Sequence, residues 1–168
     1  MNNIAAKART MERIVQPEFK ALAKRIRACA SALAECLMER GYTVVTNGTD
    51  NHIVLVDVRT SQGMSGLVAE RALEECRIIV NKNQIPGDQK SAVVASGVRL
   101  GANTLAARRM GADEMRYCTE LIHRVLSSVK ATGPTAYELD EAVKLSVQKD
   151  VTAFCQRFPL PHYPNHVD

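Results

Sequence analysis

The clearest hydrophobic pattern in the chain lies between Glu18 and Arg40, where apolar residues recur at steps of three and four. This spacing places them along one side of a helix. Pro17 stands at the start, where a first-turn residue does not need its N–H, and Gly41 follows as a helix terminator. The segment therefore predicts a long helix with one buried side.

Short β-rich runs follow this helix. The predicted strands are Tyr42–Thr46, His52–Asp57, Arg77–Val80 and Val93–Leu100. The cluster Asn47–Asn51 between the first two is typical of a turn. The continuous apolarity of Val54–Val56 predicts a strand that is covered on both faces. The polar stretch Asn81–Ala92 is expected to be a long loop.

Three further helices are predicted in the rest of the chain. Ser65 can cap a helix that runs to about Cys76, and two more helices are expected at 112–131 and 136–157. The resulting order of helices and strands predicts an α+β fold, with a small antiparallel sheet covered by helices.

The pattern of hydrophobic and polar residues also predicts how the chain is divided into a domain and two terminal segments. The first fifteen residues are polar and irregular, and they are expected to form an N-terminal arm (1–15). The helices and strands occupy one domain, 16–158. A Pro-rich tail, 159–168, is expected to follow it.

Composition excludes several classes of protein. Of 168 residues, 46% are hydrophobic and 24% charged, which is typical of a folded domain. No apolar stretch is long enough for a membrane span, and the start does not resemble a secretory signal. A net charge of +4 without a basic block, and 4% aromatic residues, argue against nucleic-acid binding. Five cysteines without a Cys-x-x-Cys pair predict reduced thiols and a cytoplasmic protein.

Two loops contain candidate ligand-binding residues. Asp50 and His52 belong to a polar cluster that either forms a site or is a turn whose side chains bond their own backbone. In the second loop, Asn81, Lys82 and Asn83 follow a predicted strand. Amide side chains can bind the edge of a heterocycle, although a solvated loop with an exposed Lys82 is the alternative.

Arg99 is the strongest single candidate for ligand contact. It lies inside an apolar strand, just after Ser96 and Gly97. A guanidinium binds a carboxylate through two parallel hydrogen bonds, and a buried one needs an anionic partner. A neighbouring glycine lets a ligand approach the backbone. The alternatives are an internal pair with Asp or Glu, or a side chain that reaches water.

Four segments together resemble the C-terminal small domain of serine hydroxymethyltransferase, a fold-type I pyridoxal-phosphate (PLP) enzyme. These segments, which occur in the order and spacing of that family, are Pro17–Val58, Val80–Asp88, Ser96–Gly101 and Phe154–Tyr163. The resemblance implies that Arg99 pairs with the α-carboxylate of an amino-acid substrate. It places Asn83, with Asn81 and Lys82, in a loop near the folate pterin. Asp50, His52, Ser96 and Gly97 would have supporting roles.

The resemblance also implies cofactors and partners. In whole enzymes of the family, a large domain supplies the lysine that binds PLP, and its motif does not occur in these 168 residues. PLP would therefore be held by a large domain, with tetrahydrofolate as a second cofactor for serine–glycine one-carbon interconversion. The expected partners are a PLP-bearing large-domain chain or other copies of this chain, and no metal is expected.

The sequence departs from the family pattern at Ala95, at Ala102–Asn103 and in the loop 88–92. In this respect it is also similar to the threonine aldolase or transaldolase-like branches, which act on β-hydroxy amino acids without folate. A further alternative is a non-catalytic binding or dimerisation module, because a detached domain exposes apolar surface.

Overall fold

The computed structural model describes residues 2–161. The helices in this range are α1 (Asn2–Ile14), α2 (Pro17–Glu39), α3 (Val58–Gln62), α4 (Gly66–Glu75), α5 (Asn103–Ala107), α6 (Ala112–Ser128) and α7 (Glu141–Arg157). The strands are β1 (Thr43–Val44), β2 (Ile53–Asp57), β3 (Asn81–Asn83), β4 (Gly97–Gly101), β5 (Val129–Ala131) and β6 (Tyr137–Leu139). An antiparallel sheet has the strand order β1-β2-β4-β3, and β5 and β6 form a separate hairpin. The predicted α+β fold is confirmed.

Helix α2 forms where the sequence predicts it. It begins at Pro17, and its buried side consists of Cys29, Ala30, Leu33, Ala34, Cys36 and Leu37. Gly41 adopts a left-handed φ of 82° directly after the helix. Its N–H donates to the carbonyl of Met38 at 2.9 Å, which closes the last turn.

The hydrophobic core lies on one side of the larger sheet. Val54, Val56, Val98 and Leu100 point into it and meet the buried sides of α2, α4 and α6. On the opposite side of the sheet, Leu55 is only half-buried. The prediction that this strand is covered on both faces is therefore wrong for the second face.

We call this second surface the open face. Alternation along each strand directs six side chains of β2, β3 and β4 to this side: Ile53, Leu55, Asp57, Asn81, Asn83 and Arg99. The Asp57 carboxylate is buried and accepts hydrogen bonds from the amide of Thr60 at 3.0 Å and from its hydroxyl at 2.7 Å.

The third strand is shifted from its predicted position. Arg77–Val80 was expected to form it, but β3 begins at Asn81. Arg77 has a φ of 65°, and the N–H of Ile78 donates to the carbonyl of Leu73 at 2.9 Å. These residues thus complete the end of α4, and the predicted polar loop loses its first residues to the strand.

Other element boundaries also differ from the predictions. The fourth strand starts at Gly97 rather than Val93, and the short helices α3 and α5 were not predicted. The two C-terminal helices are shorter than expected, because the hairpin β5–β6 lies between them. Asp140 determines where α7 begins, since its Oδ1 accepts hydrogen bonds from the amides of Ala142 at 2.8 Å and Val143 at 3.2 Å.

The N-terminal arm is helical rather than irregular. Helix α1 covers 2–14, and none of its residues is buried. Gln16, with φ −74° and ψ 147°, separates it from α2. The domain bounds 1–15, 16–158 and 159–168 remain predictions, and most of the tail lies outside the described residues. In the described range, no helix is long and apolar enough to cross a membrane.

The predicted free thiols are present in the described structure. All five cysteines are unpaired; Cys29, Cys36 and Cys76 are buried, and Cys118 and Cys155 are half-buried. Burial raises the pKa of the Cys118 thiol to about 12. A thiol of this kind packs as a small apolar side chain and is a poor nucleophile.

Candidate functional site

Arg99 lies in the middle of β4 on the open face. In the antiparallel register it stands opposite Leu55 of β2 and opposite Asn81 of β3. The side chain is exposed, and its Nη2 donates a hydrogen bond to Oδ1 of Asn81 at 3.1 Å. The sheet therefore carries a guanidinium on its solvent side, with one neighbouring strand on each side of it.

The charge of Arg99 is not compensated within the described chain. Among residues 2–161, no Asp or Glu forms an ion pair with its guanidinium. The internal Arg–carboxylate pair considered for this residue is thus absent from the described structure. An exposed guanidinium with unused donors can bind a carboxylate from another molecule through parallel hydrogen bonds.

The register places Asn83 on the same face as Arg99 but directs Lys82 to the other face. Asn83 shares the open face and pairs with Gly97, and its Nδ2 donates to the carbonyl of Gln84 at 2.7 Å. Lys82 points to the opposite side, where its backbone N and its Nζ each lie 2.9 Å from a carboxylate oxygen of Glu70. Burial alone would raise the pKa of Glu70, but these contacts with Lys82 hold it below its usual value.

Ser96 and Gly97 connect the start of β4 to the preceding loop. Asp88 accepts hydrogen bonds from the amide of Lys90 at 2.9 Å, the amide of Ser96 at 2.9 Å and the hydroxyl of Ser96 at 2.7 Å. The bond from the Lys90 amide, followed by those from Ser96, lowers the pKa of the Asp88 carboxyl. Asp88 was not among the predicted site residues, although an Asp after Pro86-Gly87 is a signal for a side-chain-to-backbone turn.

Gly97 is required for packing against protein rather than for access by a ligand. A Cβ at this position would lie 2.7 Å from Cγ2 of Ile85 and 2.8 Å from the carbonyl oxygen of Val56. The loop 84–92 therefore occupies the space beside the strand.

The cluster around Asp50 and His52 is a turn at the start of β2. The Thr49 hydroxyl donates to the carbonyl of Ile53 at 2.6 Å, and Oδ1 of Asn51 accepts from the Ile53 amide at 2.7 Å. The side chains of Asp50 and His52 are exposed. Local hydrogen bonding explains the roles of Thr49 and Asn51. The cluster precedes the first residue of β2, so it lies away from Leu55, the residue opposite Arg99.

Two of the three departures from the family pattern, Ala95 and Ala102–Asn103, lie in the backbone at the two ends of β4; the third is the loop 88–92. Ala95 and Ala102 are both fully buried, at the two ends of β4. Ala95 has a left-handed φ of 51°, and Asn103 is the first residue of α5. These positions shape the entry and exit of the strand that carries Arg99.

The donors of the open face do not fit the Schiff-base chemistry of PLP. That chemistry needs a lysine amine that can lose its proton. Lys82 is the only lysine in the four strands of the sheet, and its amine is held by Glu70 on the other side. Apart from the Asp57 carboxylate, which is engaged by Thr60, the open face offers a guanidinium and two amides, which suit a carboxylate and neutral polar groups instead.

Comparison with known protein families identifies a family that matches most of the chain. The model of the serine hydroxymethyltransferase family matches residues 1–122 of the 168 residues. The matched part contains the whole four-stranded sheet and every predicted site residue. Helix α7 and the segment Phe154–Tyr163 lie outside the match.

Proposed function

We propose, since the chain belongs to the serine hydroxymethyltransferase family, that it is the small-domain part of a PLP enzyme of this family. In this proposal Arg99 binds the α-carboxylate of an amino-acid substrate. The reaction is the interconversion of serine and glycine with tetrahydrofolate. A large domain, in the same polypeptide or in another chain, supplies PLP and its lysine.

The observation that carries this proposal is the exposed, uncompensated guanidinium of Arg99 on the open face. A cation without an acidic partner, in the middle of a rigid strand, can hold a carboxylate at a fixed position. The other side chains of the open face are two amides, the apolar Ile53 and Leu55, and Asp57, whose carboxylate is engaged by Thr60. A protein surface that covered this face would exclude water from the bound carboxylate.

The chain's own residues would bind and orient rather than transform the substrate. PLP, when it is held by the large domain, supplies the electron sink for bond cleavage at the substrate Cα. Arg99 would fix the carboxylate, and thereby the rotation of the Cα substituents. The side chain of Asn83, which keeps its amide oxygen as an acceptor, would face the folate.

The proposal can be tested by complementation. The chain is added to the PLP-loaded large domain of a family enzyme whose own small domain has been deleted, and cleavage of serine is measured. We expect activity above that of the large domain alone. Arg99→Ala should lower kcat/KM by about a hundredfold, because charge-assisted hydrogen bonds to the carboxylate are lost.

Arg116→Ala is the matched control in this assay. Arg116 lies on α6 and pairs with Glu39 at 3.5 Å, where both side chains are largely exposed. Its removal should leave the rate unchanged. If the added chain gives no gain over the large domain, the proposed function is wrong.

The same assay distinguishes the aldolase or transaldolase alternative. Tetrahydrofolate-independent cleavage of threonine, with no tetrahydrofolate-dependent turnover of serine, would identify that branch.

An interaction module is a second candidate function. The exposed apolar side chains at α1 favour it. The side chains of Ile4 and Met11 in α1 are 71% and 63% exposed, and that of Val15, directly after the helix, is 71% exposed. Exposed apolar residues on one helix are typical of a surface that binds another protein. Self-association in sedimentation velocity, without binding of serine or glycine, would support this candidate against the enzymatic one.

A further inference from the structure

Within the described residues, the hydrogen-bond partner of the Arg99 guanidinium is a side-chain amide. Oδ1 of Asn81 accepts a hydrogen bond from Nη2 of Arg99 at 3.1 Å. This is the hydrogen bond that the Arg99 side chain makes within residues 2–161. The two residues lie directly opposite each other on β3 and β4. Facing side chains of neighbouring strands are close enough for such a contact without any bend in the backbone.

A neutral acceptor has a particular effect on a guanidinium. It uses one of the five N–H donors and so fixes the direction of the planar group. It does not cancel the positive charge, as a carboxylate at the same position would. Arg99 therefore keeps both its net charge and further donors for a ligand.

Asn81 lies on β3, a strand that contacts other elements on both of its sides. Its neighbour Lys82 is bound to Glu70 of α4 through both the backbone N and Nζ, each at 2.9 Å. On its other side, β3 pairs with β4 along its full length, from Asn81 to Asn83. The amide oxygen that meets Arg99 is thus held by contacts on both sides of the strand.

We propose that Asn81 is a positioning residue, which orients the guanidinium of Arg99 through a neutral hydrogen bond and leaves its charge free for a carboxylate. This inference rests on the proposed function for its ligand, but the orienting contact can be tested without any ligand. Because the Asn81 amide is neutral, the guanidinium keeps its preference for an anion over a neutral molecule.

The first measurement uses the guanidinium signals of Arg99 in NMR spectra of the full chain. Wild type should show restricted rotation of the Nη2 group, and Asn81→Ala should remove that restriction. Asn81→Asp should keep it, because an ion pair replaces the neutral bond. Unchanged backbone amide signals in β2 and β4 would show that each variant retains the sheet.

The second measurement is a titration of the same chains with acetate and with serine. Asn81→Asp should weaken binding at Arg99 by about tenfold or more, because its carboxylate competes for the guanidinium. Asn81→Ala should weaken it less, since the charge remains and only the orientation is lost. Gln156→Glu makes the same amide-to-acid change on the exposed surface of α7 and should bind as wild type does.

Two results would overturn the inference. One is an Arg99 signal that does not change in Asn81→Ala, and the other is an Asn81→Asp chain that binds acetate as tightly as wild type. If the Arg99 signal depends on Asn81 but Arg99→Ala leaves the rate in the complementation assay unchanged, the orienting role stands and the proposed function fails.

Discussion

At Gly97, a single added methyl group would meet atoms on two sides of the strand. Its Cβ would lie 2.7 Å from Cγ2 of Ile85 and 2.8 Å from the carbonyl oxygen of Val56. Gly101, at the other end of the same strand, has no atom within 4 Å of the equivalent position. The two glycines of β4 thus have different roles, although the sequence presents them alike.

Gly97→Ala should lower the free energy of unfolding by about 1–3 kcal/mol, the usual range for overpacking a well-packed site. Gly101→Ala is the control and should change it by less than about 0.5 kcal/mol. Urea unfolding of the two variants checks this prediction. Equal stabilities would show that the loop 84–92 yields to the added methyl group.

Asp88 gives the chain a defined response to acid. Its carboxyl pKa is lower in the folded chain than the ordinary value of 3.8, chiefly because it accepts hydrogen bonds from the Lys90 amide and then from the Ser96 hydroxyl. The resulting stability is fully present above pH 3.8 and is lost as the pH falls through the lower folded value. Asp88→Asn should therefore be less stable than wild type at pH 7.

The difference in unfolding free energy between Asp88→Asn and wild type should shrink when the pH falls below about 4. Denaturant unfolding at pH 7, 4 and 3 measures it. A difference that stays constant over this range would contradict the assignment of these hydrogen bonds to the charged carboxylate.

At the scale of elements, Ser65 fixes the start of α4 and ties it to a distant segment. Its Oγ accepts from the amide of Val68 at 3.2 Å and donates to the carbonyl of Pro134 at 2.7 Å. The sequence predicted the first contact from residue type. The second joins α4 to the turn of the β5–β6 hairpin, 69 residues away in sequence.

Ser65→Ala should lower the free energy of unfolding by about 1 kcal/mol, as loss of an N-cap does. Ser65→Asp keeps an acceptor for the Val68 amide but cannot donate to Pro134 at neutral pH. Thermal unfolding of both variants separates the two contacts. If Ser65→Asp is as unstable as Ser65→Ala, the cap contributes little and the contact with Pro134 dominates.

The elements that the sequence predicted well are those whose own residues determine them. The apolar repeat and Pro17 predicted α2, and Ser65 predicted the start of α4. Strand β3 could not be predicted in this way, because Asn81, Lys82 and Asn83 have low strand propensity and become a strand only by pairing with β4. The hairpin β5–β6 was missed for a related reason, since its short segments continue the apolar spacing of the flanking helices.

In the candidate site, too, the residues could be predicted from the sequence, whereas their arrangement depends on strand pairing. Arg99 was found from its type and its apolar neighbours, and Asn81 and Asn83 from the loop that contains them. Their meeting depends on the register of β3 against β4, which is a long-range property. The separation of Lys82 from them follows from the same register, because adjacent residues of a strand face opposite sides.

At the scale of the whole molecule, α1 contributes little to the folded core. None of its residues is buried, whereas α2 buries six. Deletion of residues 1–15 should therefore change the free energy of unfolding by less than about 1 kcal/mol. Urea unfolding of the shortened chain measures this.

A longer deletion that ends at Ala30 provides the contrast, since it removes the buried Cys29 and Ala30 together with half of α2. It should prevent cooperative unfolding altogether. A large loss of stability already in the first deletion would mean that α1 packs more tightly than its exposure indicates.

The exposure of Arg99 has a thermodynamic consequence for assembly. Across water, with a dielectric constant of about 80, a guanidinium and a carboxylate 4 Å apart attract each other by only about 1 kcal/mol. Near a protein surface, where the effective constant is about 20, the attraction is about fourfold stronger. A second domain over Arg99 would thus raise the affinity for an amino acid. By thermodynamic linkage, the bound amino acid would raise the affinity of the two domains for each other by the same factor. In the proposed function, serine would therefore also stabilise the assembly of the two domains.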